Sequence, residues 1–443
     1  MKQRSKWVDH AALGWRRWRL AAAASLPLLL IAGATAGGEA RTPLTDRRPP
    51  SAPAGPALPA ITFNTSFEGA SLGKVEKLGE TRFRCSVEGQ YDERGRNRQA
   101  TWYYFRMDRV RGRHLTLTLT DLVGEYNDRP GAVPMSADTI PVYSEDGLTW
   151  RHFPQMEWDD RAKEATLRFR PAADTIWIAH VPPYTHSDLL RLLREIDRSP
   201  AARIEVIGKT VQGRDLHLVT VTDFHVPDAG KRTVWLQARQ HAWEAGTSYV
   251  LEGALRFLTS EDERARELRR KLVFRFLPMG DPDGSARGKV RFNANGYDVN
   301  RHWDEVDLRA KDLLASMPEI WYTKKLLLAE VDAGRAIDLM VNMHNTETAE
   351  YVDTLADDPA SRALVERFQQ SLVNRSSFDP SRPPTFGTGR GTTNSLYQEK
   401  RIPVLLMELR IGTSAKLGRR PSVDDRLRFG RDLVVSMAEA VLR

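Results

Sequence analysis

The spacing of hydrophobic residues changes once along the chain, and this change constrains the fold more than any other feature. From residue 61 to about 179, β-forming residues occur in short runs such as 102–105, 115–119 and 165–169, with turn residues between them. From about residue 187, continuous apolar runs alternate with stretches of helical spacing. The sequence therefore predicts a small antiparallel β-sandwich followed by an α/β fold, in which a sheet is covered by helices.

The predicted boundaries divide the 443 residues into four segments. They are a signal peptide at residues 1–36, a proline- and alanine-rich linker at 37–60, the β-sandwich at 61–182 and the α/β domain at 183–443. Ser187 is the candidate N-cap of the first helix, which is predicted over residues 188–197.

Residues 1–36 have the pattern of an export signal. Basic residues precede an apolar segment at 20–33, which is short for a membrane span and is followed by the small residues 34–36. Arg16 and Arg17 are compatible with export by the twin-arginine pathway as well as by the general secretory (Sec) pathway. We expect the protein to be periplasmic or secreted, with a retained signal anchor as the alternative.

Composition excludes several classes of protein. The net charge of +8 falls to +3 for residues 37–443, because six of the 66 basic residues and one of the 58 acidic residues lie before them. A nucleic-acid partner is therefore not expected. The single cysteine, Cys85, excludes an intramolecular disulfide and a cysteine-rich metal site. Apolar runs are too short for a polytopic membrane protein, so no integral span is expected after signal removal.

Candidate metal ligands follow two of the predicted strands. His241 and Glu244 lie three residues apart, after the strand predicted at 234–236 and before a helix, while His344 follows the strand predicted at 337–341. Two histidines and one glutamate form a ligand set of catalytic zinc sites, in which a fourth position stays open for water. These residues therefore form a candidate zinc site.

Further polar residues lie in the loop that follows the strand predicted at 272–277 and within the strand predicted at 404–409. Asn300 and Arg301 form a donor pair that suits a carboxylate, since a guanidinium group can bind one with two hydrogen bonds. Glu408 interrupts an apolar run, and a carboxylate in a buried strand is costly unless it has a partner or a function. Next to a zinc-bound water, Glu408 could act as a general base.

The order of these motifs resembles that of the zinc metallocarboxypeptidases. The order is His-x-x-Glu at 241–244, Asp-Pro-Asp-Gly at 281–284, Arg291, Asn-Arg-x-Trp at 300–303, His344 and Glu-Leu-Arg at 408–410. Upstream, Trp-Tyr-Tyr-Phe at 102–105 and Pro-Pro-Tyr-Thr-His-Ser-Asp-Leu at 182–189 are similar to the cytosolic carboxypeptidase subfamily. This resemblance covers residues 61–443 and implies a β-sandwich before a catalytic domain with a mixed, twisted sheet.

The resemblance also implies a role for each residue in a zinc-dependent carboxypeptidase that acts on the C-termini of peptides or proteins. One zinc ion per chain would be held by His241, Glu244 and His344. Arg291 would stabilise the oxyanion, and Glu408 would activate water and later protonate the leaving amine. The terminal carboxylate of the substrate would be bound by Asn300 and Arg301.

Two positions bear on how far the resemblance extends. The mobile tyrosine of the family falls on Phe386 when residues are counted back from Glu408, unless the alignment shifts to Tyr397. Several members of the subfamily remove glutamates, and Arg390 in a glycine-rich loop could bind an acidic side chain. A solvated surface arginine is the alternative interpretation of Arg390.

Other functions remain compatible with the same residues. A zinc amidohydrolase of this fold could cut γ-D-glutamyl bonds of peptidoglycan or deacylate an amino acid. A peptide-binding protein without turnover is a further alternative. A serine hydrolase is disfavoured because the Gly-x-Ser-x-Gly motif is absent from the sequence. The sequence makes no prediction about the oligomeric state.

Overall fold

The computed structural model describes residues 59–309, 312–389 and 391–443. Twelve strands form the first part of this region. They are β1 (Thr62–Asn64), β2 (Val75–Gly79), β3 (Arg82–Ser86), β4 (Gln90–Tyr91), β5 (Arg98–Gln99), β6 (Tyr104–Asp108), β7 (Leu115–Thr120), β8 (Val142–Ser144), β9 (Arg151–His152), β10 (Glu157–Asp159), β11 (Glu164–Phe169) and β12 (Thr175–Ala179).

Two five-stranded sheets pack face to face in this first part. Their strand orders are β1-β6-β12-β8-β9 and β10-β11-β7-β3-β2, and β4 and β5 form a separate hairpin. Strand β7 alternates strictly, because Leu115, Leu117 and Leu119 point into the core and the threonines between them point outwards. The pairing is antiparallel with one exception, since β3 runs parallel to β7. The predicted sandwich therefore contains one parallel pair that the strand pattern does not reveal.

The second part alternates helices and strands. In chain order it contains α1 (His186–Ile196), β13 (Ala202–Lys209), β14 (Asp215–Val221), β15 (Arg232–Gln237), α2 (Ala245–Thr259), α3 (Glu263–Lys271), β16 (Leu272–Leu277), α4 (Pro282–Arg287), α5 (Asp312–Ser316), α6 (Pro318–Asp332), β17 (Leu339–Thr346), β18 (Tyr351–Asp353), α7 (Pro359–Arg375), α8 (Thr392–Lys400), β19 (Val404–Arg410) and α9 (Val423–Leu442).

These strands form one seven-stranded mixed sheet with the order β13-β14-β16-β15-β17-β19-β18. The four central strands are parallel, whereas β13, β14 and β18 join antiparallel. Leu339 and Val341 of β17 belong to the core on one face, and Met340 between them belongs to the core on the other. The central strands are therefore covered on both faces, which explains their continuous apolar runs.

Two element boundaries differ from the prediction. Helix α1 begins at His186, because Thr185 rather than Ser187 is its N-cap and forms a capping box with Asp188. Strand β17 extends through His344, which the sequence placed after the strand. The strand continues because its polar residues pair in parallel with β19, where His344 is opposite Glu408.

The two parts of the described chain share a hydrophobic core. Trp102 and Tyr104 of the β-rich part belong to the same buried cluster as Trp243 and Val234 of the α/β part. Both parts lie within one compact unit, so the boundary at residues 182 and 183 remains a prediction. Among the described residues, no helix combines the length and the apolar character needed to cross a membrane.

Candidate active site

A polar cavity of about 630 Å³ lies at the carboxyl ends of β15, β17 and β19. This is the place where a ligand is expected in an open parallel sheet, because the chain continues from β15 to β16 on one side and from β17 to β18 and β19 on the other. The cavity brings together all seven predicted site residues that the structure describes: His241, Glu244, Arg291, Asn300, Arg301, His344 and Glu408. The eighth, Arg390, lies outside the described residues.

A buried arginine shapes the loop that carries the first two candidate ligands. Arg239 follows β15 with a positive φ of 58°. Its guanidinium group donates hydrogen bonds to the Ala242 carbonyl at 2.6 Å and to the Ser285 hydroxyl at 3.0 Å. The loop therefore folds back on itself before α2 begins, and Glu244 stands at the N-cap position of that helix.

The candidate ligands converge on one point. The Nδ1 atom of His241 is 2.7 Å from Oε1 of Glu244, and Nδ1 of His344 is 3.0 Å from Oε2. The two Nδ1 atoms are 3.2 Å apart, and the three side chains are buried. The histidines lower the pKa of Glu244 although burial alone would raise it. Burial lowers the pKa of His344, which favours a neutral ring.

This convergence is suited to a metal ion. Both histidine nitrogens would direct lone pairs at one point next to a carboxylate, and a cation at that point binds all three groups. Nε2 of His344 is buried and makes no hydrogen bond to the described residues, so its ring is positioned by contacts of Nδ1. The donor set fits the zinc ion that the sequence predicted, and the ligands would be His241, Glu244 and His344.

Asp298 connects the candidate metal site to Arg291, a role that the sequence analysis did not assign. Its Oδ1 lies 3.0 Å from Nε2 of His241, and its Oδ2 accepts a hydrogen bond of 2.6 Å from Nε of Arg291. Burial opposes ionisation, but Arg291 and His241 lower the pKa of Asp298 well below its ordinary value. A carboxylate on the far nitrogen of a ligating histidine orients the ring and increases its basicity.

Glu408 lies in β19 beside these ligands and is partly buried. Burial and the nearby Glu244 carboxylate raise the pKa of Glu408 well above its ordinary value. A cation bound by the candidate ligands would lower the pKa of Glu408 and so favour the carboxylate that a general base requires. Glu408 lines the cavity, and its Oε2 is buried without a hydrogen-bond partner among the described residues.

The predicted carboxylate-binding residues, Asn300 and Arg301, line the same cavity. The Asn300 backbone N–H donates to Asp298 at 2.8 Å, and the side-chain oxygen of Asn300 is 3.3 Å from the Thr392 hydroxyl. Arg301 donates to the Asn300 carbonyl at 2.8 Å and lines the cavity. Arg291 and Arg301 therefore place two guanidinium groups in one cavity.

The positions considered for the mobile tyrosine have other contacts. The guanidinium carbon of Arg362 lies 4.5 Å from the centroid of the Phe386 ring. The hydroxyl of Tyr397 contacts Asp358 at 3.3 Å. Neither residue is among those that line the cavity, whereas Tyr351 of β18 is. Burial raises the pKa of Tyr351 to about 12, so its hydroxyl remains a donor at neutral pH.

The β-rich part also contributes to the cavity wall. Gln99 and Thr101, both from the segment around β5, line the same cavity as Glu408 and the candidate ligands. Glu347, just after β17, lines this cavity and also shares a smaller one with Gln99 and Thr101. The sequence analysis missed these residues because nothing in their local pattern distinguishes them from ordinary surface residues.

Two family comparisons agree with this architecture. Residues 63–181 match the cytosolic carboxypeptidase N-terminal domain, and residues 189–348 match the zinc carboxypeptidase family. The first match covers the β-rich part, and the second contains the three candidate ligands.

Similar proteins occur in animals and bacteria. Cytosolic carboxypeptidase 3 of Mus musculus is 26% identical over 329 residues, which cover 68% of this chain but only 31% of the mouse protein. An uncharacterized protein of Zymomonas mobilis is 28% identical over 321 residues, which cover 71% of this chain and 76% of that protein. The chain therefore spans about a third of the length of its mouse relative.

Solved bacterial structures share the fold. A metallo-carboxypeptidase from Burkholderia cenocepacia superposes with a TM-score of 0.72 at 21% identity, covering 86% of this chain and 99% of that one. A metallo-carboxypeptidase from Pseudomonas aeruginosa gives the same TM-score and identity, with 85% and 98% covered. The chain therefore carries a zinc carboxypeptidase domain behind a cytosolic carboxypeptidase N-terminal domain.

Proposed function

We propose that this protein is a zinc-dependent carboxypeptidase that removes C-terminal residues from peptides or proteins. The observation that carries the proposal is one cavity in which a buried His-Glu-His group, the partly buried Glu408 and two arginines meet. A metal site alone would suit many hydrolases. The two guanidinium groups in the cavity of Glu408 favour a substrate that ends in a free carboxylate.

Each residue has a defined task in this proposal. Zinc, when bound, would polarise the scissile carbonyl and lower the pKa of the attacking water. Arg301 and Asn300 bind the terminal carboxylate, and Arg291 donates hydrogen bonds to the carbonyl oxygen as negative charge develops on it. Glu408 takes a proton from water as the new C–O bond forms, and then gives it to the amine nitrogen as the C–N bond breaks.

The decisive test replaces Glu408 with glutamine. Glu408→Gln keeps the volume of the side chain but cannot accept the proton, so we expect turnover to fall by at least about 10²-fold while one zinc per chain is retained. Peptide cleavage followed by mass spectrometry and metal analysis of the same sample measure both quantities. Glu366→Gln, on the exposed face of α7, is the control and should behave like the wild type.

The outcomes separate the alternatives. Zinc-dependent turnover that survives in Glu408→Gln would contradict the proposed base. Zinc binding by the wild type without release of C-terminal residues would favour an amidohydrolase that acts on cell-wall or acylated substrates. A chain that binds no zinc under any condition would contradict the metal site itself.

We also propose that Arg390 selects acidic C-terminal side chains. Its neighbours Thr388 and Gly389 line the cavity, and the subfamily that the chain resembles includes enzymes that remove glutamates. Peptides that differ only in a C-terminal Glu, Ala or Lys test this preference. Arg390→Ala should reduce the rate for Glu and leave the rate for Ala unchanged; equal effects on all three would contradict the proposal.

Export from the cytoplasm is proposed from residues 1–36, which lie outside the described residues. The support is the basic, apolar and small-residue order of that segment. Cell fractionation and N-terminal sequencing of the mature protein should find it outside the cytoplasm, beginning close to residue 37. Full-length protein confined to the cytoplasm would contradict export.

A further inference from the structure

Gln90, in the β-rich part, contacts the backbone on both sides of Arg291. Its side-chain oxygen accepts hydrogen bonds from three consecutive backbone N–H groups, those of Val290, Arg291 and Phe292, at 2.9, 2.8 and 3.0 Å. Its side-chain nitrogen donates to the Phe292 carbonyl at 2.6 Å. One side chain thereby satisfies four backbone groups of a segment that forms neither helix nor strand.

The segment is also held by a hydrogen bond of 3.0 Å from the Trp243 backbone N–H to the Val290 carbonyl and by the buried side chains of Val290 and Phe292. It follows the short helix α4 and returns through an isolated bridge between Phe292 and Asp298. Three consecutive N–H groups that point at one oxygen form a concave site that an acceptor must fill. Without Gln90, these donors would need water or another conformation.

The same segment carries the guanidinium group assigned to the oxyanion. Nε of Arg291 donates to Asp298 at 2.6 Å, so the side chain is held at its tip while Gln90 holds the backbone from which it extends. A group that stabilises charge in a transition state must be placed within a fraction of an ångström. Fixing both ends of a long, flexible side chain meets that requirement.

A second contact joins the same two loops. The Glu93 backbone N–H donates to the Gly296 carbonyl at 3.0 Å. Gly296 has a φ of +89°, and a Cβ atom there would lie 2.5 Å from the Glu93 nitrogen. The hairpin of β4 and β5 therefore lies directly against the loop that carries Arg291, and Gln90 is its polar anchor.

We propose that Gln90 is a positioning residue for Arg291, so that the β-rich part contributes to transition-state stabilisation. This inference rests on the proposed function and deepens it. Gln90 does not touch the substrate; it acts through the backbone of Arg291. The expected result of losing it is a reduced kcat with little change in KM, because Arg291 interacts most strongly with the transition state.

The experiment compares three variants of the zinc-loaded protein. Gln90→Ala removes all four hydrogen bonds and should lower kcat at least about tenfold, with KM and zinc content unchanged. Gln90→Glu keeps an acceptor for the three N–H groups but loses the donor to the Phe292 carbonyl, so its kcat should lie between those of Gln90→Ala and the wild type. Glu88→Gln is the matched control, because Glu88 is exposed and only approaches Lys289 at 3.5 Å.

A double variant distinguishes positioning from general destabilisation. In an Arg291→Lys background, Gln90→Ala should lower kcat by less than about twofold, since the group that it positions has already been replaced. An equal further loss in that background would overturn the proposal, and so would an unchanged kcat in Gln90→Ala alone. If Gln90→Ala does not fold, Gln90→Asn, shorter by one methylene group, replaces it under the same criteria.

A readout that does not depend on activity separates this inference from the proposed function. Hydrogen–deuterium exchange should be faster at residues 290–292 in Gln90→Ala than in the wild type and the control. Unchanged exchange there would overturn the proposal. A wild type that releases no C-terminal residue would refute the proposed function and with it the role in kcat, while the exchange result would still decide whether Gln90 fixes this segment.

Discussion

Asp298 shows how one buried carboxylate can serve two sites. It contacts the candidate ligand His241 with one oxygen and Arg291 with the other. The pairing with Arg291 keeps it ionised in spite of its burial. A neutral side chain at this position would loosen both the imidazole ring and the guanidinium group.

Asp298→Asn should therefore weaken zinc binding by about 10- to 100-fold. The amide keeps the size of the side chain but loses the charge that supports the ring of His241. Competition with a chelator of known affinity measures the change. Asp304→Asn, at an exposed position in the same loop, is the control, and equal zinc affinity in both variants would contradict the role assigned to Asp298.

Arg301 has one proposed task, which is to bind the terminal carboxylate of the substrate. Arg301→Ala should lower kcat/KM for peptides with a free C-terminal carboxylate by about 10- to 100-fold, the cost of a lost charge-assisted hydrogen bond. Arg301→Lys should recover only part of this loss because it lacks the planar fork. Kinetics on free and C-terminally amidated peptides provide the measurement. A variant that still prefers the free carboxylate to the wild-type extent would refute the anchoring role.

At the scale of elements, the strands that carry the site were largely predictable and the small helices were not. The segment of β16, Leu272–Leu277, was predicted to the residue because a strand covered on both faces is a continuous apolar run. Helix α3 was missed because its nine residues are mostly charged. Only two apolar residues of this short helix, Ala265 and Leu268, are buried, which is too few to show a repeating pattern, and the N-cap Asp262 marks where it begins.

The first turn of α6 carries a buried acid whose protonation affects stability. Glu319 accepts a hydrogen bond from Asn293 at 3.0 Å, and burial raises its pKa from 4.5 to about 7. The folded state therefore binds this proton more tightly than the unfolded state does. The contribution of Glu319 to stability is present below about pH 4.5 and decreases as the pH rises to 7.

Glu319→Gln should remove this pH dependence. Relative to the wild type, the variant should gain about 3 kcal/mol of unfolding free energy between pH 4.5 and pH 8, since one pKa unit corresponds to about 1.4 kcal/mol. Chemical denaturation of both proteins at the two pH values measures the difference. Glu263→Gln, an exposed glutamate in the first turn of α3, should show no such change; identical pH profiles for Glu319→Gln and the wild type would refute the assignment.

At the scale of the whole molecule, the β-rich part and the α/β part are joined by apolar and polar contacts. Trp102 lies in the same buried cluster as Trp243. Asp138 accepts hydrogen bonds from the Thr413 backbone at 2.8 Å and from Arg420 at 3.1 Å. Such an interface couples the folding of the two parts.

We therefore expect the protein to unfold in one cooperative transition. Calorimetry of residues 59–443 should give a single peak with equal calorimetric and van't Hoff enthalpies. The fragment 183–443 should not fold on its own, because it would expose the surface that Trp102 covers. Two resolved transitions, or a soluble fragment with wild-type activity, would show that the parts are independent.

The sequence by itself determined the chemistry of this protein. The ligand types, their order and their places beside apolar runs predicted a zinc site at strand ends, because side-chain chemistry and hydrophobic periodicity are local properties. Only the tertiary structure decided which residues support that site. Asp298 and Tyr351 gain their roles from where the sheet and loops place them, and Gln90 meets Phe292 across 202 positions of the chain. Such contacts depend on how the parts pack, and periodicity within a segment carries no information about them.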